Sequence, residues 1–400
     1  MPDTLLYAKK LILPAFTANT LQSLNMAAAF GEAGVRTSFF PGIRPTSGGD
    51  KKEAALSDLL PGILANYGLS HADITSWKAL KASHKGLYSL AYQSHVAARF
   101  LRGVDCMIAR DVKDALFLAR LKKSLAPIAK KKGPFLYEMH EALYAMHQNT
   151  PGRHDWRVTM EREKKILRHV DGLILTNGSL EAEARETLGY TGPFIVEPNG
   201  FNPALFSPLP LFEADCPWPG ANDAVQLVYI GGMHKGKGVA ELIQAMATLP
   251  ERFQLRIVGT AIPSILSEME ELAATIPGAD TRIRFLGHVP QTGLRDACAG
   301  AHIAIVPQQP HGEYFSPIKL QEYRALGLPV VCTPVDFFIG QGSHEHYAQD
   351  FSPAAIAAAA EELANSPDMA RRLRDQGLVI AQNYTWVARA RRILDFADSL

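Results

Sequence analysis

Residues 312–332 read GEYFSPIKLQEYRALGLPVVC, and the reading of the whole chain starts from them. The order is loop, helix, tight turn, buried strand. Ser316 suits an N-cap and Pro317 the first helical position. Helix then runs over 319–326 to a stop at Gly327, with Pro329 just beyond. Val330, Val331 and Cys332 make a short apolar strand. A helix opened by Ser-Pro leaves backbone N–H groups unpaired at its start, where its dipole favours an anion. Lys319 adds a positive charge in the first turn, and Glu322 follows on the same face. This combination suits a nucleotide, with phosphate at the helix end and ribose hydroxyls on the carboxylate. The same stretch also reads as a capped surface helix carrying an i,i+3 ion pair.

Working outward, apolar strands alternate with helices. In the second half, strands are predicted at 227–230, 254–258, 283–286, 302–306 and 329–332, with a helix at 239–246. In the first half, a strand ends over 11–15 and the loop FTANT (16–20) follows it. Helix 21–33, strand 36–40, several helical pieces over 51–101, strand 104–109, helix 112–125, strand 134–139, helix 159–169, strand 172–176, helix 180–188 and strand 194–197 complete that half. Strand–helix–strand alternation predicts parallel βαβ units in doubly wound sheets. Residues 198–223 are rich in Pro, Gly and Asn, as a linker should be. The fold class is therefore α/β, with two Rossmann-like domains, 1–200 and 201–384, facing a central cleft at the carboxyl ends of both sheets. Residues 385–400 read as an amphipathic helix with Thr385 as its cap.

Composition agrees with this. Four hundred residues suggest two domains. A net charge of +1 gives no global argument for nucleic acid or a membrane. The four cysteines are scattered, with no CxxC pair and no His at metal spacing, which suggests reduced thiols and a cytoplasmic place. No apolar run is long enough to span a bilayer. The N-terminal segment lacks the order of a signal peptide, because Lys9 and Lys10 interrupt it.

The loop 229–238, YIGGMHKGKG, follows the first strand of the second half. Gly231, Gly232, Gly236 and Gly238 let backbone approach a ligand, and Lys235 and Lys237 sit where a phosphate would gain from dipole and charge together. The loop is neither a P-loop nor GxGxxG, which argues against a dinucleotide oxidoreductase. Taken alone, it also reads as a solvated turn. Val258 and Gly259 end the next strand on the same edge.

Together, PNGFNPALF (198–206), YIGGMHKGKGVAELIQAM (229–246), LRIVG (255–259), RIRFLGHV (282–289), YFSPIKLQEYRALGLPVV (314–331) and NYTW (383–386) resemble the retaining glycosyltransferases of family 4, which have the GT-B fold. In the first half the likeness is thinner and rests on FLYEMHE (135–141) and VDGLILTN (170–177). The resemblance implies roles at matching positions. Glu322 would hold the donor ribose, and Lys237 would face the donor phosphates. The N–H groups around Ser316, Pro317 and Ile318 would cap those phosphates, and Val258 and Gly259 would line the base pocket. His140 would stand beside the donor sugar, although it also reads as an ordinary strand-end histidine. The last helix would pack back on the N-terminal domain.

There are departures from the family pattern. Tyr314 stands eight residues before Glu322, where the family has its sugar-contacting glutamate, and Glu313 is one position off. The family's arginine after the strand glycine is Gly232 here, so Lys235 or Lys319 must supply that charge. The first Gly-rich loop is replaced by FTANT, where Asn19 and Thr20 are the donors.

The expected function is a hexose-type transfer, with retention, from a nucleotide-diphosphate sugar (a UDP-sugar favoured) to an acceptor in cell-surface glycan, glycolipid or polysaccharide synthesis. Lysines and a helix N-terminus can stabilise a departing diphosphate, so no cofactor and no metal ion is expected. His140, Lys237 and Glu313 are the catalytic candidates. The donor-binding set is Gly231, Gly232, Lys235, Val258, Gly259, Tyr314, Ser316, Pro317, Ile318, Lys319 and Glu322. No nucleic-acid partner is expected. Residues 71–132 hold 13 Lys/Arg against 4 Asp, with Trp77, Tyr88 and Tyr92 interleaved. That segment reads either as solvated helix faces or as a peripheral site on an anionic inner-membrane face. A non-catalytic nucleotide-sugar-binding protein and a sugar-nucleotide epimerase of the same fold are the alternative readings.

Overall fold

Short runs of Val, Ile, Leu, Phe and Tyr between helices make fifteen described strands, and those of both large sheets are parallel throughout. A computed structural model of the chain describes residues 2–15, 17–44, 56–69, 74–148, 154–214, 216–309, 317–335 and 344–400. The chain divides into two units, Met1–Gly200 with Trp386–Leu400, and Phe201–His311 with Pro317–Thr385.

In the first unit, β1 (Thr4–Ala8) and β2 (Ile12–Leu13) are followed by β3 (Arg36–Ser38), β4 (Gly42–Ile43) and β5 (Leu80–Lys81). Then come β6 (Cys106–Ala109), β7 (Phe135–Met139), β8 (Gly172–Leu175) and β9 (Phe194–Val196). Six of these form one sheet in the order β3-β1-β6-β7-β8-β9. The order reverses between β1 and β6, which makes that edge the topological switch point. Strands β6, β7 and β8 are buried along their whole length and carry almost only apolar residues, as strands covered on both faces must. The remaining three strands pair as a small sheet, β2-β4-β5. The predicted first strand therefore divides. Residues 4–8 enter the main sheet, and Lys9, Lys10 and Leu11 carry the chain to a second one.

The first helix, Ala18–Glu32, starts earlier than its apolar periodicity suggests. Thr17 caps it through a bond from the Thr20 N–H. Ala18, Asn19 and Thr20 are thus a first helical turn, not loop. The last helix, Trp386–Asp398, packs on this first helix. Ala390, Ile393 and Leu394 on it are fully buried. Gly172 of β8 leaves room for it: a Cβ there would lie 2.9 Å from the Phe396 ring and from Leu400.

In the second unit, β10 (Val225–Ile230), β11 (Phe253–Val258), β12 (Ile283–Gly287), β13 (Ile303–Val306), β14 (Val330–Cys332) and β15 (His346–Tyr347) form one sheet in the order β12-β11-β10-β13-β14-β15. Its switch point lies between β10 and β13. Strand β14 does not close the sheet as expected, because β15 pairs outside it. Two polar or weakly apolar residues are too short a run to announce a strand. Helices Pro353–Ala364 and Pro367–Ala381 cover the unit. At the link to the last helix, Phe201 bridges to Thr385, and the Phe201 N–H donates to the Tyr384 carbonyl.

Candidate functional site

The carboxyl ends of β10 and β11 approach each other through two glycines. The Gly231 N–H donates to the Val258 carbonyl over 2.8 Å. A Cβ at Gly259 would stand 2.0 Å from the Gly231 carbonyl oxygen, and its φ of 141° would strain any side chain. The loop beyond Gly231 folds onto the loop after β13, across the switch point. Gln308 Nε2 and the Gln309 N–H both donate to the Gly236 carbonyl, over 2.8 and 3.1 Å. Gly238, at φ 70°, opens helix Val239–Ala245 and lies so close to the Pro307 carbonyl that a Cβ has no place there. Tyr229 Oη donates to the Gly232 carbonyl over 2.7 Å, and the Ile230 N–H donates to Tyr323 Oη over 2.6 Å. The glycines are therefore fixed by neighbours, and the chain around them has one course.

Helix Ile318–Ala325 delivers the charged groups to this edge. Pro317, at ψ 121°, is its cap residue, so the helix opens one position later than Ser-Pro capping predicts. Proline has no N–H, and its extended ψ places it outside the helix. The helix ends as expected, with Gly327 at φ 67°. Lys319 Nζ sits 4.0 Å from the centroid of the Tyr229 ring, and a Cβ at Gly231 would come within 2.7 Å of it. Burial, then the neighbouring Lys237, pulls the Lys319 ammonium down to about 7, against the pull of Glu322. Glu322 is buried, and burial pushes its carboxyl up to about 7, opposed by a hydrogen bond with Gln291 and by Lys319. Two lysines, one carboxyl, the N–H groups of a helix start and two strand-end glycines thus meet at one edge. Such a place favours an anion. Lys319 is held there against both its burial and the charge of Lys237.

Gly231, Gly232, Val258, Gly259, Ile318, Lys319, Glu322 and Lys237 all lie at this edge, with Pro317 at the helix cap. Lys235 is exposed on the turn after Gly232. Glu313, Tyr314 and Ser316 lie outside the described residues. Gln291, after β12, is a member that sequence reasoning missed; nothing but its contact with Glu322 marks it. Among the described residues, no three His, Cys, Asp or Glu side chains come together as a metal site would need.

In the first unit, His140 follows directly on β7. Its Nε2 lies 3.0 Å from Oε1 of Glu138, which also accepts from Gln22 Nε2 and from Arg389 of the last helix, each over 2.7 Å. Gln22 Oε1 in turn accepts from Arg110 Nε over 2.7 Å. Lys9 pairs with Asp111 beside them, at the switch point between β1 and β6. Sequence reading singled out His140 but not Glu138 two residues before it, nor Lys9, Gln22, Arg110, Asp111 and Arg389, which come from four other segments. Trp77, Tyr88 and Tyr92, expected on the basic surface, are buried at 8, 1 and 1% exposure. Aromatic rings spaced through a basic segment serve the core here. The exposed apolar residues of that segment are Leu87, Leu90 and Ile128, at 68, 64 and 68%.

Residues 224–366 match the family of glycosyl transferases group 1. Over 170 residues the chain is 28% identical to the D-inositol 3-phosphate glycosyltransferase of Streptomyces coelicolor, spanning 40% of this chain and 35% of that protein. Solved structures match over nearly the whole length, HepE and a sucrose-phosphate synthase among them. HepE of Anabaena, solved in complex with UDP, is 17% identical with a TM-score of 0.70, over 99% of this chain and 100% of that one. The sucrose-phosphate synthase of Thermosynechococcus elongatus is 19% identical with a TM-score of 0.71, over 99 and 98%. The fold is GT-B. The matched family segment contains β10 to β15 with the whole glycine–lysine–glutamate edge.

Proposed function

We propose that the protein is a retaining, metal-independent glycosyltransferase that moves a hexose-type sugar from a UDP-sugar to an acceptor of cell-surface glycan, glycolipid or polysaccharide synthesis. The observation that carries the reading is the convergence of Gly231, Gly259, Lys237, Lys319 and Glu322 at the switch point of the second unit. The family match covers that same edge, and HepE is a UDP-bound relative in fold. The second unit is the donor side and the first the acceptor side.

In this reading, the helix start at Ile318 and the ammonium groups of Lys237 and Lys319 hold the diphosphate and stabilise its departure. Glu322 accepts from the ribose hydroxyls. Val258 and Gly259 line the base, and His140 stands beside the sugar. The leaving phosphate takes the acceptor's proton as the sugar transfers on the same face. Glu313 and Tyr314 set the sugar's identity. Exposed Leu87, Leu90 and Ile128, among Lys81, Lys85 and residues 130–132, form the surface for an anionic inner-membrane face. No described helix is long and apolar enough to cross a membrane.

The deciding experiment is a thermal-shift panel of UDP, GDP, ADP and their sugars on the wild type and on Glu322→Ala and Lys237→Ala. UDP should stabilise the wild type most, and both variants less. If no nucleotide stabilises the protein, the reading is wrong. NMR of the product's anomeric carbon decides retention against inversion. Pelleting with anionic and with neutral vesicles decides membrane association; recovery only in the supernatant removes that part.

A further inference from the structure

Among the charged groups that the donor reading leaves unused, one is a guanidinium in the core of the first unit. Arg389 is 0% exposed, on a helix that the chain reaches only after the whole second unit. Its Nε donates to the Pro198 carbonyl over 2.8 Å, and one Nη donates to the Glu197 carbonyl over 3.1 Å. The same Nη donates over 2.7 Å to Oε1 of Glu138, which is 1% exposed. Burying a charged arginine is costly unless every donor finds an acceptor. Removing the arginine alone would leave the Glu138 carboxylate buried without its cation. What the arginine adds is a fixed, ionised carboxylate beside His140.

Glu138 shows that effect. Burial alone would raise its pKa, but Arg389 and then His140 and Arg110 outweigh burial and hold it well below the usual carboxylate range. An ionised carboxylate only accepts, so the ring nitrogen touching it carries the proton. Burial first, then Arg110, pulls His140 down to about 4, while Glu138 opposes them. Asp111 at the switch point is also within electrostatic reach of the ring. Near neutral pH the imidazole is therefore uncharged, with its proton on Nε2.

We propose that Arg389 is a positioning residue, which together with Gln22 fixes the Glu138 carboxylate so that His140 is held in the tautomer that donates through Nε2 and presents Nδ1 as an acceptor. The chain thereby sets the chemistry of a residue in its first half with a side chain from its last helix. An acceptor nitrogen suits a sugar hydroxyl, which can donate to it. That last step rests on the donor reading above; the tautomer does not.

The test is 15N NMR of histidine-labelled protein, with the His140 signals assigned by their loss in His140→Gln. In the wild type, His140 should show one tautomer, protonated at Nε2, and no titration between pH 5 and 8. In Glu138→Gln, the amide is a weaker acceptor and can itself donate, so a mixture of tautomers should appear. This variant keeps the guanidinium and its bonds to the two carbonyls, so it serves even if Arg389→Met does not fold. In Arg389→Met, Glu138 loses its stronger partner and should draw a second proton onto His140, moving its midpoint up by at least one pH unit. Arg389→Lys should restore part of that change. With UDP-glucose as probe, Glu138→Gln should lose at least tenfold in kcat, with the thermal shift produced by UDP unaltered. A single Nε2-protonated tautomer in Glu138→Gln, with a midpoint in Arg389→Met equal to wild type, overturns the proposal. Absence of any UDP shift in the wild type overturns the donor reading instead, and the NMR result still decides this one.

Discussion

Replacing Lys319 by Met separates a ligand-holding lysine from a structural one. Lys319 Nζ lies over the face of the Tyr229 ring, and Met puts a neutral, polarizable side chain there in place of the ammonium. In the free protein the ammonium is not a favourable group. Burial and Lys237 depress its pKa, so the folded state binds this proton more weakly than the unfolded chain does. Its contribution therefore destabilises below about 7, and stability recovers as pH rises from about 7 toward the lysine's ordinary 10.5. Glu322, left without the lysine, stays protonated and remains tolerable in the interior. Lys319→Met should accordingly melt at or above the wild-type temperature at pH 7. Binding should suffer, because a hydrogen bond between charged groups contributes about 1.5–3 kcal/mol. That range corresponds to a roughly 10- to 150-fold weaker Kd for UDP. Calorimetric titration with UDP and a thermal melt of the free protein read the two quantities separately. A variant that binds UDP as the wild type does but melts well below it would show Lys319 to be a structural partner of Glu322, and the argument would be refuted.

Glu322→Gln removes the carboxyl that titrates alongside Lys319. In that background UDP affinity should fall with pH between 7 and 9, by at most about tenfold per unit, because the diphosphate prefers the charged lysine; a flat profile by calorimetry would contradict this. The same variant should weaken UDP but leave inorganic diphosphate almost unaffected, since only the nucleoside reaches the carboxyl. Gly259→Ala combines a forbidden φ with a Cβ 2.0 Å from the Gly231 carbonyl, so a loss of about 2 kcal/mol or more in denaturant unfolding is expected, together with loss of the UDP shift. Ile393→Ala deletes a fully buried side chain of the last helix and should cost about 2–5 kcal/mol, read by unfolding of the first unit.

How much of this was legible in the sequence varies with the physics of each element. Strands buried on both faces were read almost to the residue, as at β14 and β8, because continuous apolar runs between glycines have few other uses. Strand β2 was read only as the end of a longer first strand, and the two-residue strands β4, β5 and β15 were not read, since each owes its pairing to partners distant in sequence. The glycine–lysine–glutamate edge of the second unit was legible as one place because Gly231, Lys237, Gly259, Lys319 and Glu322 occur in motifs whose spacing follows strand ends and a helix start. The depressed lysine and raised carboxyl were not, because burial depends on the whole unit. The His140 cluster was legible only as one histidine; Gln22, Arg110, Glu138 and Arg389 are 367 positions apart at their extremes, and no local pattern links them. The basic segment misled in one respect, since Trp77, Tyr88 and Tyr92 face inward while Leu87, Leu90 and Ile128 face outward.

The return of helix Trp386–Asp398 to the first unit has a bearing on synthesis. On the ribosome, residues 1–200 emerge first but must wait for residues 386–400 before Gly172, the first helix and the Glu138 carboxylate are covered. The second unit, Phe201–His311 with Pro317–Thr385, has all its described strands in hand earlier. The unit made first is therefore the one finished last, and through the intervening time a buried carboxylate has no arginine and an apolar helix face has no cover. Chaperone capture of nascent chains should accordingly persist until residues 386–400 emerge.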